Sequence, residues 1–299
     1  MYKTGPGENR TDICSIPAME IRHNRREECT YSLMGAGLWT TQQTYVDILH
    51  RPIDMEEIRH VLQGVRRNKT PGSDGIGWEF YKATWSTIKD DLYTTLNEMY
   101  MEKTITSQQK HGIIVCLPKH NGAQTPRDFR PITLLNVDYK ILARIIVNRL
   151  CPLLAEHLLT YQFCGVPGNT ILDAIATVRD TTAMAEVTQT PLCVVSLDFQ
   201  EAFDRISHLY LYTNLRIYGL SEWFVDRIKT MYDNAHSLVQ VNGHIAGPIP
   251  IRCSIRQECL LSVVLFALCI HPVKTAGPKL PRRTTTMEKA PIVSDSLCR

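Results

Sequence analysis

The residues best suited to do chemistry lie in one short stretch, Val-Val-Ser-Leu-Asp-Phe-Gln-Glu-Ala-Phe-Asp at positions 194–204. An apolar, β-favouring run ends at the carboxylate of Asp198, and a helical pattern follows. Burying an unpaired carboxylate is costly, so Asp198 needs a hydrogen-bond donor, a cation or solvent. Phe199 and Phe203, four positions apart, fall on one face of the next turn. A plainer interpretation makes Asp198 a helix cap and Asp204 a solvated helix residue.

Cationic side chains at two other places could meet phosphate groups. Lys69 lies with Arg66 and Arg67 on a loop rich in Gly and Pro, which could contact a phosphate backbone. Lys119 and Arg130 lie on two predicted adjoining strands and could bind a triphosphate, Arg through a fork of donors and Lys as a point charge. The alternatives are an ordinary basic surface turn for the loop and a pair of edge-strand charges for Lys119 and Arg130.

The elements that position these side chains follow from the apolar periodicity. Helical spacing predicts helices near residues 54–66, 77–102, 137–156, 169–187, 209–218 and 223–232, and an apolar helix that continues to Ile270. Short apolar runs predict strands at residues 112–117 and 192–198, the second of them central in an antiparallel sheet. An Asn-Gly pair at 242–243 predicts a hairpin turn. Asp54 and Glu57 form a capping-box pattern at the start of the first helix.

Composition limits the class of protein. The chain has 299 residues, 44% of them hydrophobic and 21% charged, so it can bury a sizeable core. Its net charge of +3 permits nucleic-acid binding but does not argue for it. Ten Cys residues include no C-x-x-C pair, which suits a reducing intracellular compartment, the cytosol or the nucleus. No window reaches membrane-spanning length, so we expect no membrane partner.

Five motifs, in order, resemble those of reverse transcriptases of the LINE type, the enzymes of non-LTR retrotransposons. They are Asn-Lys-Thr-Pro-Gly-Ser-Asp-Gly-Ile at 68–76, Phe-Arg-Pro-Ile-Thr-Leu-Leu-Asn-Val-Asp-Tyr-Lys-Ile-Leu at 129–142, Gln-Phe-Cys-Gly-Val-Pro-Gly-Asn-Thr at 162–170, the stretch at 194–204, and Arg-Gln-Glu-Cys-Leu-Leu-Ser at 256–262. The resemblance implies an α+β fold with fingers and a partial palm, in which helices pack on an antiparallel palm sheet. It divides the chain into an upstream polar linker (1–51), an incomplete fingers and palm unit (52–273) and an unrelated, disordered tail (274–299).

The resemblance also implies a role for each candidate residue. Asp198 and the backbone carbonyl of Phe199 would hold Mg²⁺, the cofactor for adding deoxynucleotides to a primer 3′-hydroxyl. Nucleotide or template would be bound by Lys69, Lys119, Arg130, Phe203, Arg256 and Gln257. Within that set, Phe203 would be the gate against a 2′-hydroxyl and Gln257 would steady the template–nucleotide pair. The implied partners are an RNA template and a DNA primer.

The sequence departs from the family pattern in ways that bear on activity. Asn169 stands where many relatives have Arg, Glu258 replaces a Gly that allows close approach of template and nucleotide, and Leu260 replaces a Pro suited to a first helical turn. The family's aromatic-Ala-Asp-Asp hairpin and thumb are not apparent, and Asp295 keeps one carboxylate without apolar flanks. Two Mg²⁺ ions about 3.5–4 Å apart need more oxygen ligands than Asp198 offers.

We therefore expect a reverse transcriptase domain that ends before the Ala-Asp-Asp motif and that does not polymerise, although its parent reaction is RNA-directed DNA synthesis. One alternative is a non-catalytic remnant that binds nucleic acid or other proteins. In that case an exposed edge of the palm sheet would favour self-association. A further alternative is a sequence that does not fold.

Overall fold

The computed structural model describes residues 43–276, apart from residues 67, 158–161, 166–167, 195, 197, 200–201 and 257–258. Predictions for Arg67, Gln257, Glu258 and Asp295, and for most of the linker and tail, lie outside the described residues. The helices of the described part are α1 (Gln43–His50), α2 (Met55–Gly64), α3 (Trp78–Ala83), α4 (Trp85–Tyr100), α5 (Ser107–Lys110), α6 (Val137–His157), α7 (Ile171–Val187), α8 (His208–Ile217), α9 (Glu222–Tyr232) and α10 (Leu260–Ala276). The strands are β1 (Gly112–Pro118), β2 (Phe129–Leu135), β3 (His236–Val241) and β4 (His244–Pro250).

Helix α2 shows how local sequence sets the helix starts. The Asp54 side chain accepts the Glu57 N–H at 2.8 Å, and the Glu57 carboxylate accepts the Asp54 N–H at 3.1 Å. This reciprocal pair completes the predicted capping box. It gives an acceptor to two N–H groups that have no hydrogen-bond partner within the helix. Ile58, Val61 and Leu62 then recur at helical spacing and are buried.

Helix α6 lies at the centre of the core and contacts α1, α2, α4 and α10. Its buried apolar side chains are Val137, Tyr139, Ile141, Leu142, Ala143, Ile145, Ile146, Val147, Leu150, Leu153 and Leu154. A helix that is apolar on most of its surface is stable only when neighbours cover it on several sides. The remaining helices of the core therefore assemble around α6.

The four strands form one sheet in the order β2-β1-β3-β4. β1 pairs antiparallel with β2, and β3 pairs antiparallel with β4, but β1 and β3 are parallel. The sheet is therefore mixed, whereas the sequence predicted an antiparallel palm sheet. The buried residues Gly112, Thr133, Leu135 and Ser237 share one face of it by register, and that face is turned to the core.

The strand predicted at residues 192–198 is a second difference from the sequence prediction. Residues 191–194, 196, 198 and 199 have no strand assignment, and Leu192 and Val194 are exposed. A strand needs a neighbour that takes its hydrogen bonds, and no part of the described chain pairs with this segment. The β-favouring residues alone therefore do not place the described residues of this segment in a strand.

Other sequence predictions are confirmed. The combination of helices with a four-stranded sheet is the predicted α+β class. The predicted helices appear within a few residues of their expected bounds, with the second one split at Thr84 into α3 and α4. Asn242 and Gly243 form the hairpin turn with φ values of 50° and 80°, the left-handed conformation that a two-residue hairpin turn requires. Across residues 43–276, no described helix is both long and apolar enough to cross a membrane.

Candidate active site

The β1–β2 hairpin brings Lys119 and Arg130 together. Arg130 pairs with Leu117, and the Lys119 N–H continues the ladder by donating to the Asp128 carbonyl at 2.8 Å. Side chains alternate along a strand, so Lys119 and Arg130 lie on the same face as diagonal neighbours about 7–8 Å apart. Both side chains are exposed, and the Lys119 ammonium donates to the Arg127 carbonyl at 2.7 Å. Two cations on one exposed face can bind an anionic ligand such as a phosphate chain.

Asp128 fixes the turn that carries this pair, a role that sequence reasoning missed. Its carboxylate accepts the N–H groups of Thr125 and Gln124 at 2.8 and 3.1 Å, and the Thr125 hydroxyl at 2.9 Å. Hydrogen bonds from Thr125 and Gln124, helped by the charge of His120, lower the pKa of Asp128 to about 2. The available signal was Thr-Pro-x-Asp at 125–128, a capping-box spacing with Pro at the first helical position.

The loop that carries Lys69 docks against the junction of β2 and α6. Gly72 packs against Asn136 so closely that a Cβ there would lie 2.1 Å from the Asn136 Oδ1 atom and 2.4 Å from its backbone N. The Ser73 hydroxyl donates to Asn136 Oδ1 at 3.2 Å, and the Lys140 ammonium donates to the Thr70 carbonyl at 3.3 Å. The Pro-Gly-x-Asp-Gly motif thus has a structural reason, because only glycine fits at position 72.

The loop of Lys69 and the hairpin pair are associated with opposite ends of β2. Lys69 belongs to the loop that docks at Asn136, whereas Arg130 lies near the opposite end of β2. The five residue steps of extended strand from position 130 to position 135 span about 17 Å. The expectation that Lys69, Lys119 and Arg130 line one cleft stays a prediction.

The segment after Asp198 is tied to the segment before α10 through Ser254. The Ser254 N–H donates to the Ile206 carbonyl at 2.9 Å, and its hydroxyl donates to Asp204 at 3.0 Å. His208 Nε2 lies 3.2 Å from the Ser254 carbonyl, which makes that nitrogen the donor. Burial lowers the pKa of His208 despite this bond, so its ring is neutral at pH 7. Ser254 has a φ of 96°, a strained conformation that the three bonds hold.

Phe203 is held by the same connection. Its carbonyl accepts the Ile255 N–H at 2.9 Å, and its ring stacks on Phe266 of α10 with centroids 4.7 Å apart. Phe199 packs against the core, whereas the side chain of Asp198 is exposed. Phe199 and Phe203 are therefore fixed by packing, whereas the Asp198 carboxylate faces solvent. Sequence reasoning missed Ser254 and His208, because no local pattern joins residues so far apart.

Arg256 is buried with its guanidinium 5.3 Å from the centre of the Tyr139 ring. Sequence reasoning did not foresee this burial, since arginine is almost always exposed unless it is paired. Gln257 lies outside the described residues. The predicted contacts of both residues with nucleotide or template stay predictions.

The described residues do not fit a two-metal site. Hard cations such as Mg²⁺ take oxygen ligands, and two ions need several carboxylates that converge. Within the described ranges, no three His, Cys, Asp or Glu side chains are grouped so that they could hold a metal ion. The Asp204 carboxylate, the nearest in sequence to Asp198 among the described residues, accepts the Ser254 hydroxyl.

Comparison with known proteins decides the family. A family model described as reverse transcriptase (RNA-dependent DNA polymerase) matches residues 117–278, more than half of the chain. The chain belongs to the reverse transcriptase family. The matched range holds Lys119, Arg130, Asp198, Phe203 and Arg256.

Relatives of this reverse transcriptase domain are proteins of mobile elements. The transposon TX1 uncharacterized 149 kDa protein of Xenopus laevis is 35% identical over 79% of this chain. The probable RNA-directed DNA polymerase from transposon BS of Drosophila melanogaster is 23% identical over 83% of it. A Pol polyprotein from the type-1 retrotransposable element R2 of Popillia japonica is 25% identical over 82% of it. These names confirm the resemblance to non-LTR retrotransposon proteins. The chain spans only 18%, 28% and 34% of the lengths of these three relatives.

Proposed function

We propose that this reverse transcriptase domain binds the phosphates of a primer–template or a nucleotide through Lys119 and Arg130. The supporting observation is the register of the β1–β2 hairpin, which places both cations on one exposed face. Arg130 offers a planar fork of donors, and Lys119 can exchange its carbonyl partner for a phosphate oxygen. The Asp128 hydrogen bonds stiffen the turn, so less conformational freedom is lost on binding.

Binding of this kind depends on salt, because each phosphate contact releases a counterion. We expect Lys119→Ala/Arg130→Ala to weaken binding of a labelled RNA–DNA primer–template and to reduce the slope of log K against log[salt] by about 1–2. Fluorescence anisotropy at two salt concentrations measures both quantities. The matched control is Arg59→Ala/Lys103→Ala, which removes equal charge from exposed residues paired to Glu56 and Asp226. Equal losses in the two double variants would refute the role of the hairpin.

Within this proposal, the 299-residue chain does not polymerise by itself. Reverse transcriptases generally use divalent metals, and stabilisation of charge by the metal ions supplies much of the acceleration in phosphoryl transfer. Asp198 and the Phe199 carbonyl would give Mg²⁺ part of one coordination shell. The sequence shows no aromatic-Ala-Asp-Asp turn to supply the rest, and Glu258, which stands where the family pattern has Gly, would add negative charge beside the expected phosphates.

Primer extension on an RNA template tests this part of the proposal. We expect the purified chain, with Mg²⁺ or Mn²⁺, to extend a primer no further than its Asp198→Ala variant does. Extension above that control would show that a further carboxylate, Asp295 first, completes the metal site. The binding assay and the primer-extension assay test different parts of the proposal, so one part can be refuted while the other stands.

Self-association is a second candidate function, favoured by one observation on α7. Ala174 is the only fully buried side chain of this helix, whereas its apolar residues Ile171, Leu172, Ile175, Met184 and Val187 are exposed. Exposed apolar side chains in such number on one helix are typical of an interaction surface. The sequence predicted this role for an exposed edge of the palm sheet, and the described sheet ends at β2 and β4.

A further inference from the structure

Three arginines are buried in the described core, and two of them have every guanidinium nitrogen bonded. Arg149 donates to Glu57 and to the carbonyls of Arg51 and Pro52. Arg227 donates to three backbone carbonyls, those of Tyr100, Met101 and Trp223, and stacks 3.5 Å above the Trp223 ring. These two residues show how this fold satisfies a buried guanidinium.

The third, Arg256, is only 3% exposed, and none of its three side-chain nitrogens has a hydrogen-bond partner among the described residues. The Tyr139 ring lies 5.3 Å from the guanidinium carbon, but a ring face takes no N–H bond of normal strength. An arginine does not deprotonate in a protein, so the buried positive charge persists. Such a charge is stable in the interior only when an anion with good geometry accompanies it.

Two buried hydroxyls lie in the surroundings of Arg256, those of Tyr232 and Ser262. Burial raises the pKa of Tyr232 well above its ordinary value, although its interaction with the Ser262 hydroxyl and the charge of Arg256 both act to lower it. Tyr232 and Ser262 are therefore neighbours of each other, and Arg256 is an electrostatic neighbour of Tyr232. We refer to Arg256, Tyr232 and Ser262 as the Arg256 cluster. All three side chains are buried and carry hydrogen-bond donors.

The other titratable groups near this cluster do not neutralise Arg256. Its charge acts to lower the pKa values of His208 and Lys110, which shows that they are electrostatic neighbours. Asp233, a carboxylate in the same region, is exposed and forms no ion pair with Arg256. None of the described side chains therefore supplies a paired anion for the buried guanidinium.

We propose that the Arg256 cluster binds one carboxylate group. The planar fork of a guanidinium matches a carboxylate in two parallel hydrogen bonds, and the Tyr232 and Ser262 hydroxyls can donate to the remaining lone pairs. The carboxylate has two possible sources, a free carboxylate ion or a carboxylate side chain of polypeptide beyond the described residues. In either case Arg256 holds α9 and α10 together through a buried anion and makes no contact with the template.

Thermal unfolding of the full chain in sodium formate, against sodium chloride at equal ionic strength, tests the first source. We expect formate to raise the Tm of the wild type by about 2 °C or more, as a ligand of the folded state does. The Arg256→Met variant, which keeps the length of the side chain without its charge, should lose this rise. The exposed-arginine control Arg59→Met should keep it.

An Arg256→Ala variant tests the second source. If a polypeptide carboxylate fills the cluster, formate leaves the wild type unchanged, and methylguanidinium at millimolar concentration restores the Tm that Arg256→Ala loses. The neutral analogue methylurea, of similar shape, should not restore it. If formate has no specific effect and methylguanidinium restores no more than methylurea, no carboxylate is bound and the proposal is overturned.

Discussion

At the scale of single residues, contacts with the backbone decide which side chains the motifs tolerate. Gly72 has a backbone neighbour where a side chain would begin, and Ser254 holds a left-handed conformation through three hydrogen bonds. Both residues lie beside candidate ligand-binding residues, Lys69 in one case and Phe203 in the other. Rigid placement of a loop lowers the entropy lost when a ligand binds.

Gly72→Ala should lower the free energy of unfolding by about 2–4 kcal/mol, because its Cβ would displace the backbone at the start of α6. Gly64→Ala is the matched control, since a Cβ at that helical position meets nothing within 4 Å. Alanine is a better helix former than glycine, so the control should be neutral or up to about 1 kcal/mol stabilising. Urea denaturation measures both, and equal effects of the two substitutions would contradict the predicted clash.

At the scale of elements, a charged contact joins α2 to α6. The Arg149 guanidinium donates to both oxygens of Glu57, at 2.8 and 2.7 Å, and also binds the carbonyls of the turn before α2. Burial acts to raise the pKa of Glu57, but the hydrogen bonds from Arg149 and the Asp54 N–H outweigh it, so the pKa lies below its ordinary value. The pair fixes the angle between two helices whose apolar faces already touch.

Glu57→Gln should cost about 2 kcal/mol of stability at pH 7, the magnitude of a hydrogen bond to a charged group. A lowered carboxyl pKa contributes stability that is complete above the unfolded-state value, about 4.3, and that is lost as the pH falls through the folded-state value. The difference between wild type and Glu57→Gln should therefore shrink below about pH 4. Glu56→Gln, on the same helix but with a side chain 76% exposed, should change stability little at any pH. A pH series of urea denaturations tests both expectations.

Local patterns in the sequence predicted the helices and the hairpins, because capping residues and apolar spacing act over a few positions. Asp54 and Glu57 marked the start of α2, and Asn242 marked the β3–β4 turn. The pairing of β1 with β3 is not visible in the sequence, since it joins distant segments. The bonds of Ser254 and the burial of Arg256 were missed for the same reason: both depend on neighbours that only the tertiary fold supplies.

At the scale of the whole molecule, α7 is a helix of 17 residues that contributes little to the core. Leu172 and Val187 are 71% and 82% exposed, and Ala174 is the only fully buried side chain of the helix. A second copy of the chain could cover these apolar side chains. If it does, the oligomeric state in solution depends on α7.

Leu172→Lys/Val187→Lys should weaken self-association at least tenfold by placing like charges in the contact. Sedimentation velocity across a concentration series measures this change. Ile245→Lys, which changes an exposed apolar residue on β4, serves as the control and should leave association unchanged. A wild type that stays monomeric at every concentration would exclude α7 as a self-association surface.

The parallel pairing of β1 with β3 also sets the order in which the sheet can form during synthesis. The β1–β2 hairpin is local and can close early, but Gly112 finds its partner Ser237 only after most of the domain has been translated. Until then the N–H and C=O groups on the free edge of β1 can pair with an extended segment of another chain. The nascent chain is therefore most prone to misassembly while the ribosome translates α6 to α9, and slower translation there would prolong that exposure.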